Sequence, residues 1–139
     1  MRYWLFKSEP STWSWDQQVA KGASGEEWDG VRNYQARNFM REMEVGDQGF
    51  FYHSQKEKAV VGIVEVSAKA HPDSTTDDDR WDCVDIKALE PLPTPVTLDQ
   101  IKADERLADM VLVKNSRLSV QPVTEDEFKV ICALGGLWA

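Results

Sequence analysis

Between Val31 and Arg41 lie three arginines, Arg32, Arg37 and Arg41, and no acid. Guanidinium groups grip phosphate oxygens in pairs, so this is where the chain can hold a phosphodiester. Asn33 and Arg37 stand four apart, a spacing that on a helix lets both side chains reach one target. His53-Ser54 sets a base beside a hydroxyl and raises the question of a hydrolase. No G-x-S-x-G elbow, P-loop or glycine fingerprint accompanies it, and nothing in the sequence orients His53 as a base. The chain therefore reads as non-catalytic, with no cofactor implied, and His53 as a group whose titration near neutral pH tunes binding. The two histidines (53, 71) and two cysteines (83, 132) lack C-x-x-C or H-x-x-x-H spacing, so no metal site is expected.

The charge balance constrains the partner. Sixteen basic and 24 acidic residues leave a net charge of −8. Residues 1–60 carry eight Lys/Arg and nine Asp/Glu, net −1, and residues 61–139 carry eight and fifteen, net −7. This argues against a general nucleic-acid coat, which needs a basic face to collect phosphates. Affinity for a nucleic acid would have to come from reading one nucleotide. The 139 residues fit a single domain over 1–139. The apolar run Tyr3–Phe6 is ended at once by Lys7, Ser8 and Glu9, unlike a signal peptide. No stretch approaches the ~20 apolar residues of a membrane span. The expectation is an intracellular protein, with no membrane partner and with both cysteines as buried thiols.

The elements that must position these groups are short. Tyr3–Lys7 reads as a strand, and Ser11 or Thr12 as the cap of a helix running to about Lys21. Trp28-Asp29-Gly30 reads as a turn. Asn33 to Met43 reads as a helix whose buried face is Ala36, Phe39, Met40 and Met43. Gly49–Ser54 and Val60–Val66 read as strands joined by a polar loop at 55–58, the second buried on both faces. His71–Asp79 reads as a solvated acidic loop, Trp81–Leu89 as a strand, and Pro91, Pro93 and Pro95 as an extended connector. A helix is expected from Thr97 to Asp104, and Glu105–Asp109 is open as its continuation. Short strands are expected at Val111–Val113 and Leu118–Val120. A last helix, about Glu125 to Leu134, follows the capping box of Thr124 and Glu127. Many short strands with helices at the edges predict an α+β fold, a mixed sheet curled towards a barrel.

Four segments resemble the EVE family: Tyr3–Pro10 (YWLFKSEP), Trp28–Asn38 (WDGVRNYQARN), Phe50–Ser54 (FFYHS) and Arg117–Val123 (RLSVQPV). With the weaker stretches Gly62–Val66 and Leu98–Asp104 they span nearly the whole chain in order. The resemblance implies a PUA-like fold, a curled β-sheet or barrel with small flanking helices. It is similar in design to the YTH domains, which hold a methylated adenine in an aromatic cage. The function it implies is the reading of modified bases, with 5-methyl- or 5-hydroxymethylcytosine in DNA foremost and a modified RNA base the alternative. The chain departs from longer members in the short loop between Ala70 and Trp81.

A base pocket needs flat apolar walls, hydrogen-bonding groups for the base edge, and cations for phosphate. The matching segments supply Trp28 and Tyr52 as walls, with Tyr34, Leu118 and His53 behind them. They supply Ser8, Asn33, Ser54, Ser119 and Gln121 for the base edge, and Lys7, Arg32, Arg37, Lys56 and Arg117 for phosphate. Ser8 equally suits a helix cap or turn, and Asn33 equally suits a plain N-cap. The competing readings are a binder of a small heterocyclic metabolite or of a protein partner and, behind these, a hydrolase using His53.

Overall fold

The computed structural model describes residues 1–137 apart from Lys56 and Ser116. Its strands are β1 (Tyr3–Ser8), β2 (Glu26–Glu27), β3 (Gln48–His53), β4 (Ala59–Pro72), β5 (Asp82–Thr97) and β6 (Val120–Val123), in one mixed sheet ordered β2-β5-β4-β3-β1-β6. The β1–β3 pair is parallel and the other pairs are antiparallel. Four register shifts interrupt the long β4–β5 ladder, and such irregularities bend and twist a sheet. The helices are α1 (Trp15–Ala20), α2 (Tyr34–Glu42), α3 (Leu98–Ala103), α4 (Val111–Lys114) and α5 (Glu125–Leu134).

The aromatic strands are explained by burial on both faces of the sheet. Trp4, Phe6 and Phe51 join Trp15, Trp28, Ala36, Met40 and Met43 in one core. Leu5, Phe50 and Tyr52 belong to a second core with Ile101, Leu107, Phe128 and Ile131. Alternating residues thus feed different cores, as the period of two requires, and the run Phe50-Phe51-Tyr52 is fully apolar because neither face meets water. A buried carboxylate closes the far end. Asp47 accepts from the Arg2 amide, the Trp4 indole and the Glu44 amide.

Local capping fixes most helix starts. Asn33 accepts from the Ala36 amide, and Thr97 and Thr124 form capping boxes with Gln100 and Glu127. Five readings are corrected. The strand expected at Leu118–Val120 runs instead over Val120–Val123. The first helix is capped by Ser14 rather than Ser11 or Thr12. Val111–Lys114 is a helical turn, not a strand, with Leu112 buried. Pro91, Pro93 and Pro95 lie within β5. Strand β2 covers only Asp85 and Ile86 of β5, and a register shift leaves Pro93 and Pro95 without a partner on β4, so their missing N–H groups break no ladder bond. The segment after Ala70 is not simply a solvated loop, since His71 and Pro72 extend β4 and Asp73 is only 2% exposed. Both cysteines are free and buried. Among the described residues no helix is long and apolar enough to cross a membrane.

Candidate functional site

A cavity of about 630 Å³ opens where β1 ends. Lys7 and Ser8 come from that strand end, Glu9, Thr12 and Trp13 from the loop into α1, residues 26–32 from the segment leading to α2, and Ser119 from just before β6. Backbone bonds tie these pieces together. The Lys7 amide donates to Ser119 O, and the Ser54 amide to Ser8 O, each at 2.9 Å. Loops gathered on a rigid strand end are a usual place for function.

Two tryptophans supply flat surface. The Trp28 amide donates to Val84 O at 2.8 Å. Its ring meets Phe6 and Phe51 edge-on, at 5.4 and 5.7 Å between centroids, and is 8% exposed. Trp13 is half-buried, and its indole donates to Gln18 Oε1 at 2.9 Å. Gln18 is itself fully buried and donates to Ile86 O. Ser8 Oγ donates to Trp13 O at 2.5 Å. The hydroxyl hydrogen is thereby used, and a lone pair is left for a ligand.

The polar lining is mainly acidic, with Glu9, Glu26, Glu27 and Asp29 against Lys7 and Arg32. Burial, reinforced by Asp73, Glu27 and Glu26, pushes the Asp29 carboxyl above its ordinary range. Burial and the neighbouring Lys58 charge lower the Lys7 ammonium. The turn itself is pinned from behind. Gly30, at φ +77°, donates its amide to Asp73 Oδ2 at 2.9 Å, and Arg32 donates to the same oxygen at 3.2 Å. Burial opposes ionisation of Asp73, but hydrogen bonds from the Thr75 hydroxyl and amide, Gly30 and Arg32 hold its carboxyl down at about 2.

Beside the cavity lies an arginine–aromatic platform. Tyr34, half-exposed, stacks on Trp81 at 4.9 Å. Arg37 covers Tyr34 at 4.8 Å, and Arg32 covers Trp81 at 5.5 Å. Arg37 and Arg41 also donate to Arg80 O. Arg32 is the link, since it also lines the cavity.

Of the residues expected at a site, Lys7, Ser8, Trp28, Arg32 and Ser119 therefore share the cavity, while Tyr34 and Arg37 sit on the platform. The others lie elsewhere. Asn33 caps α2. Tyr52 is 2% exposed in the second core, its phenol pushed up to about 12 by burial. Leu118 is in the first core. Gln121 is fully buried and donates to Leu118 O at 2.7 Å. Ser54 follows β3 outside the cavity lining, and Arg117 is exposed outside it. Lys56 lies outside the described residues. His53 Nε2 accepts from the Trp15 amide at 3.1 Å, which commits the lone pair a general base would use. Burial lowers its pKa against the charges of Glu57 and Asp16.

Sequence reasoning missed Trp13 and the four carboxylates. Trp13 follows the Glu9-Pro10-Ser11 break, the one signal that marked a loop at a strand end. Nothing in the sequence marked Glu26 and Glu27 as cavity residues.

The EVE domain profile matches residues 2–134. Mouse thymocyte nuclear protein 1 is 35% identical over 164 aligned residues, covering 95% of this chain and 73% of that protein. A crystal structure of a protein from Agrobacterium tumefaciens is 60% identical with a TM-score of 0.97, over 98% of this chain and 94% of that one. The human THYN1 protein, solved in complex with 5-methylcytosine-containing DNA, is 32% identical with a TM-score of 0.92, over 98% of each chain. The six-stranded mixed sheet with small flanking helices is accordingly the α+β, PUA-like fold of these proteins, and the chain belongs to the EVE domain family.

Proposed function

We propose that this protein is a non-catalytic reader that takes one modified base, of the 5-methylcytosine type in DNA, into the cavity beside Trp13 and Trp28. The observation that carries this reading is the pairing of two indoles with a carboxylate-rich lining in a cavity of about 630 Å³, within the roughly 300–1,000 Å³ of small-molecule sites. Carboxylates accept from the exocyclic amine of cytosine, and stacking on an aromatic ring is worth roughly 1–3 kcal/mol. A buried methyl adds about 0.8 kcal/mol, roughly fourfold in Kd, and because cytosine and 5-methylcytosine share one hydrogen-bonding edge the preference for the methyl comes from that burial, while polar groups left unpaired discriminate against the other bases. The DNA complex of the human relative supports the same ligand class. Ser8 and Ser119 face the base in this reading. Arg32, Arg37 and the Tyr34–Trp81 stack hold the adjacent phosphate and nucleotide, while a base in duplex DNA must be flipped at a cost of about a few kcal/mol.

The cavity lining, with four carboxylates and two cations, also favours a second reading, a free neutral or cationic heterocycle. Fluorescence polarisation separates the two. Labelled single- and double-stranded oligonucleotides carry one cytosine, 5-methylcytosine or 5-hydroxymethylcytosine, at low and moderate salt. Salt-dependent preference for a modified strand is expected. Equal binding of all three, or salt-independent binding of the free nucleoside alone, overturns the reader assignment.

A further inference from the structure

A cluster that shares Glu27 with the cavity lining is built from three strands. Strand β5 lies between β2 and β4. In the register Glu27 faces Asp85, and His71 faces Cys83. Cys83 and Asp85 are two apart on β5, so they share one face of the sheet, and the four side chains converge there. Glu27 Oε1 lies 3.7 Å from Cys83 Sγ and 3.7 Å from His71 Nδ1, and the three donor atoms are all within 4.8 Å of one another.

We propose that Glu27, His71 and Cys83 form a divalent transition-metal site, suited to zinc, with water at the fourth position. Thiolate, imidazole and carboxylate together are a zinc donor set. Bonds of about 2.0–2.3 Å imply tetrahedral donor–donor edges of roughly 3.3–3.6 Å, so closure needs small side-chain movements. The ionised set carries a charge of −2, which matches the ion.

The surrounding groups are those a metal site needs. His71 Nε2 lies 2.8 Å from Asp85 Oδ1. A proton held there by the carboxylate leaves Nδ1 to the metal, the usual carboxylate–histidine–metal relay. The Ser74 hydroxyl donates to Glu27 Oε2, fixing the second carboxylate oxygen. The side chains of His71 and Glu27 are 34% and 22% exposed, and Cys83 is buried beneath them, which leaves an entry path. Burial first, then Glu27, Asp73 and Asp85, raise the Cys83 thiol, and a bound cation would offset that negative field. Binding releases the Cys83 proton. Nδ1 also lies 3.2 Å from Pro72 O, so a proton held there competes with the ion and is released too.

Titration of the chelator-treated protein with Co²⁺ tests the site, read by thiolate-to-cobalt charge transfer in the near ultraviolet and by competition with Zn²⁺. One ion per chain with a charge-transfer band is expected. Cys83→Ser should lose the band, and Cys132→Ser, whose thiol lies in the other core, should keep it. His71→Asn should bind at least about tenfold more weakly, and Asp85→Asn about 10- to 100-fold more weakly. Because His71 and Asp85 are partly exposed, these variants keep the test open if Cys83→Ser unfolds. Absence of the band in folded protein, its persistence in Cys83→Ser, or unchanged binding in His71→Asn overturns the proposal.

Discussion

The ring of Trp28 meets that of Phe51 edge to face, at 5.7 Å and 85°, so one tryptophan belongs both to the core and to the cavity wall. The position that shapes the pocket is therefore held by the packing that stabilises the fold. Trp28→Ala is expected to destabilise the protein by about 3–5 kcal/mol, seen as a lowered denaturant midpoint. Trp13→Ala, at a half-buried ring, should leave the fold nearly intact and weaken base binding by roughly 1–3 kcal/mol, about 5- to 150-fold in Kd. Equal binding by Trp13→Ala and wild type would remove Trp13 from the wall.

The platform predicts a salt signature. Arg37 sits over Tyr34 outside the cavity, so Arg37→Ala should weaken modified and unmodified strands alike. If it contacts one phosphate of a duplex, the slope of log Kd against log salt should fall by about 0.9. An unchanged slope would place the phosphate elsewhere.

The two histidines are shifted in opposite directions, and their linkage has opposite signs. The pKa of His53 is lowered below 6.5, by burial first. Its contribution to stability is present above pH 6.5 and is lost as pH falls through the lowered value. For His71 burial opposes the charge, but hydrogen bonds to Asp85 and Pro72 and the charges of Asp85 and Glu27 raise its pKa above 6.5. Its contribution is present below pH 6.5 and is lost as pH rises through the raised value. Thermal melts from pH 5 to 8 should show His53→Gln losing less stability than wild type on acidification, and His71→Gln losing less on alkalinisation. Parallel curves for all three proteins would contradict both assignments.

Gly62 is required by a neighbour rather than by its own dihedral. A Cβ there would lie 2.4 Å from two atoms of the Trp15 indole, which is packed against Phe51. Gly62→Ala is expected to cost about 1–3 kcal/mol through overpacking, measured by chemical denaturation. A neutral substitution would mean that α1, which carries Trp15, moves freely over the sheet.

Most local contacts are legible in the sequence, the Ser14–Gln17 capping box of the first helix excepted. Thr124 with Glu127 and Asn33 with Ala36 cap their helices through bonds spanning three residues, and such contacts are written in the sequence itself. The apolar triplet Val111–Val113 is too short for periodicity to separate helix from strand, and packing of Leu112 into the second core decided it. Trp28 and Ser8 were legible as candidates because each sits at a turn or strand end, and both line the cavity. Tyr52 and Leu118 were not separable from core, since an aromatic or aliphatic side chain looks the same in a wall and in an interior.

By itself the sequence determined the family, the caps Thr97 and Thr124, the two-sided burial of Val60–Val66 and the acidic balance of the chain. Only the tertiary structure decided which polar groups meet. Trp13, Glu27 and Ser119 reach one cavity, and Glu27, His71 and Cys83 reach one face of the sheet, through strand order and register. Those pairings join residues up to 106 positions apart, and no spacing rule along the chain encodes them, because they are set by which strand edges pair and by the side to which each alternating side chain points.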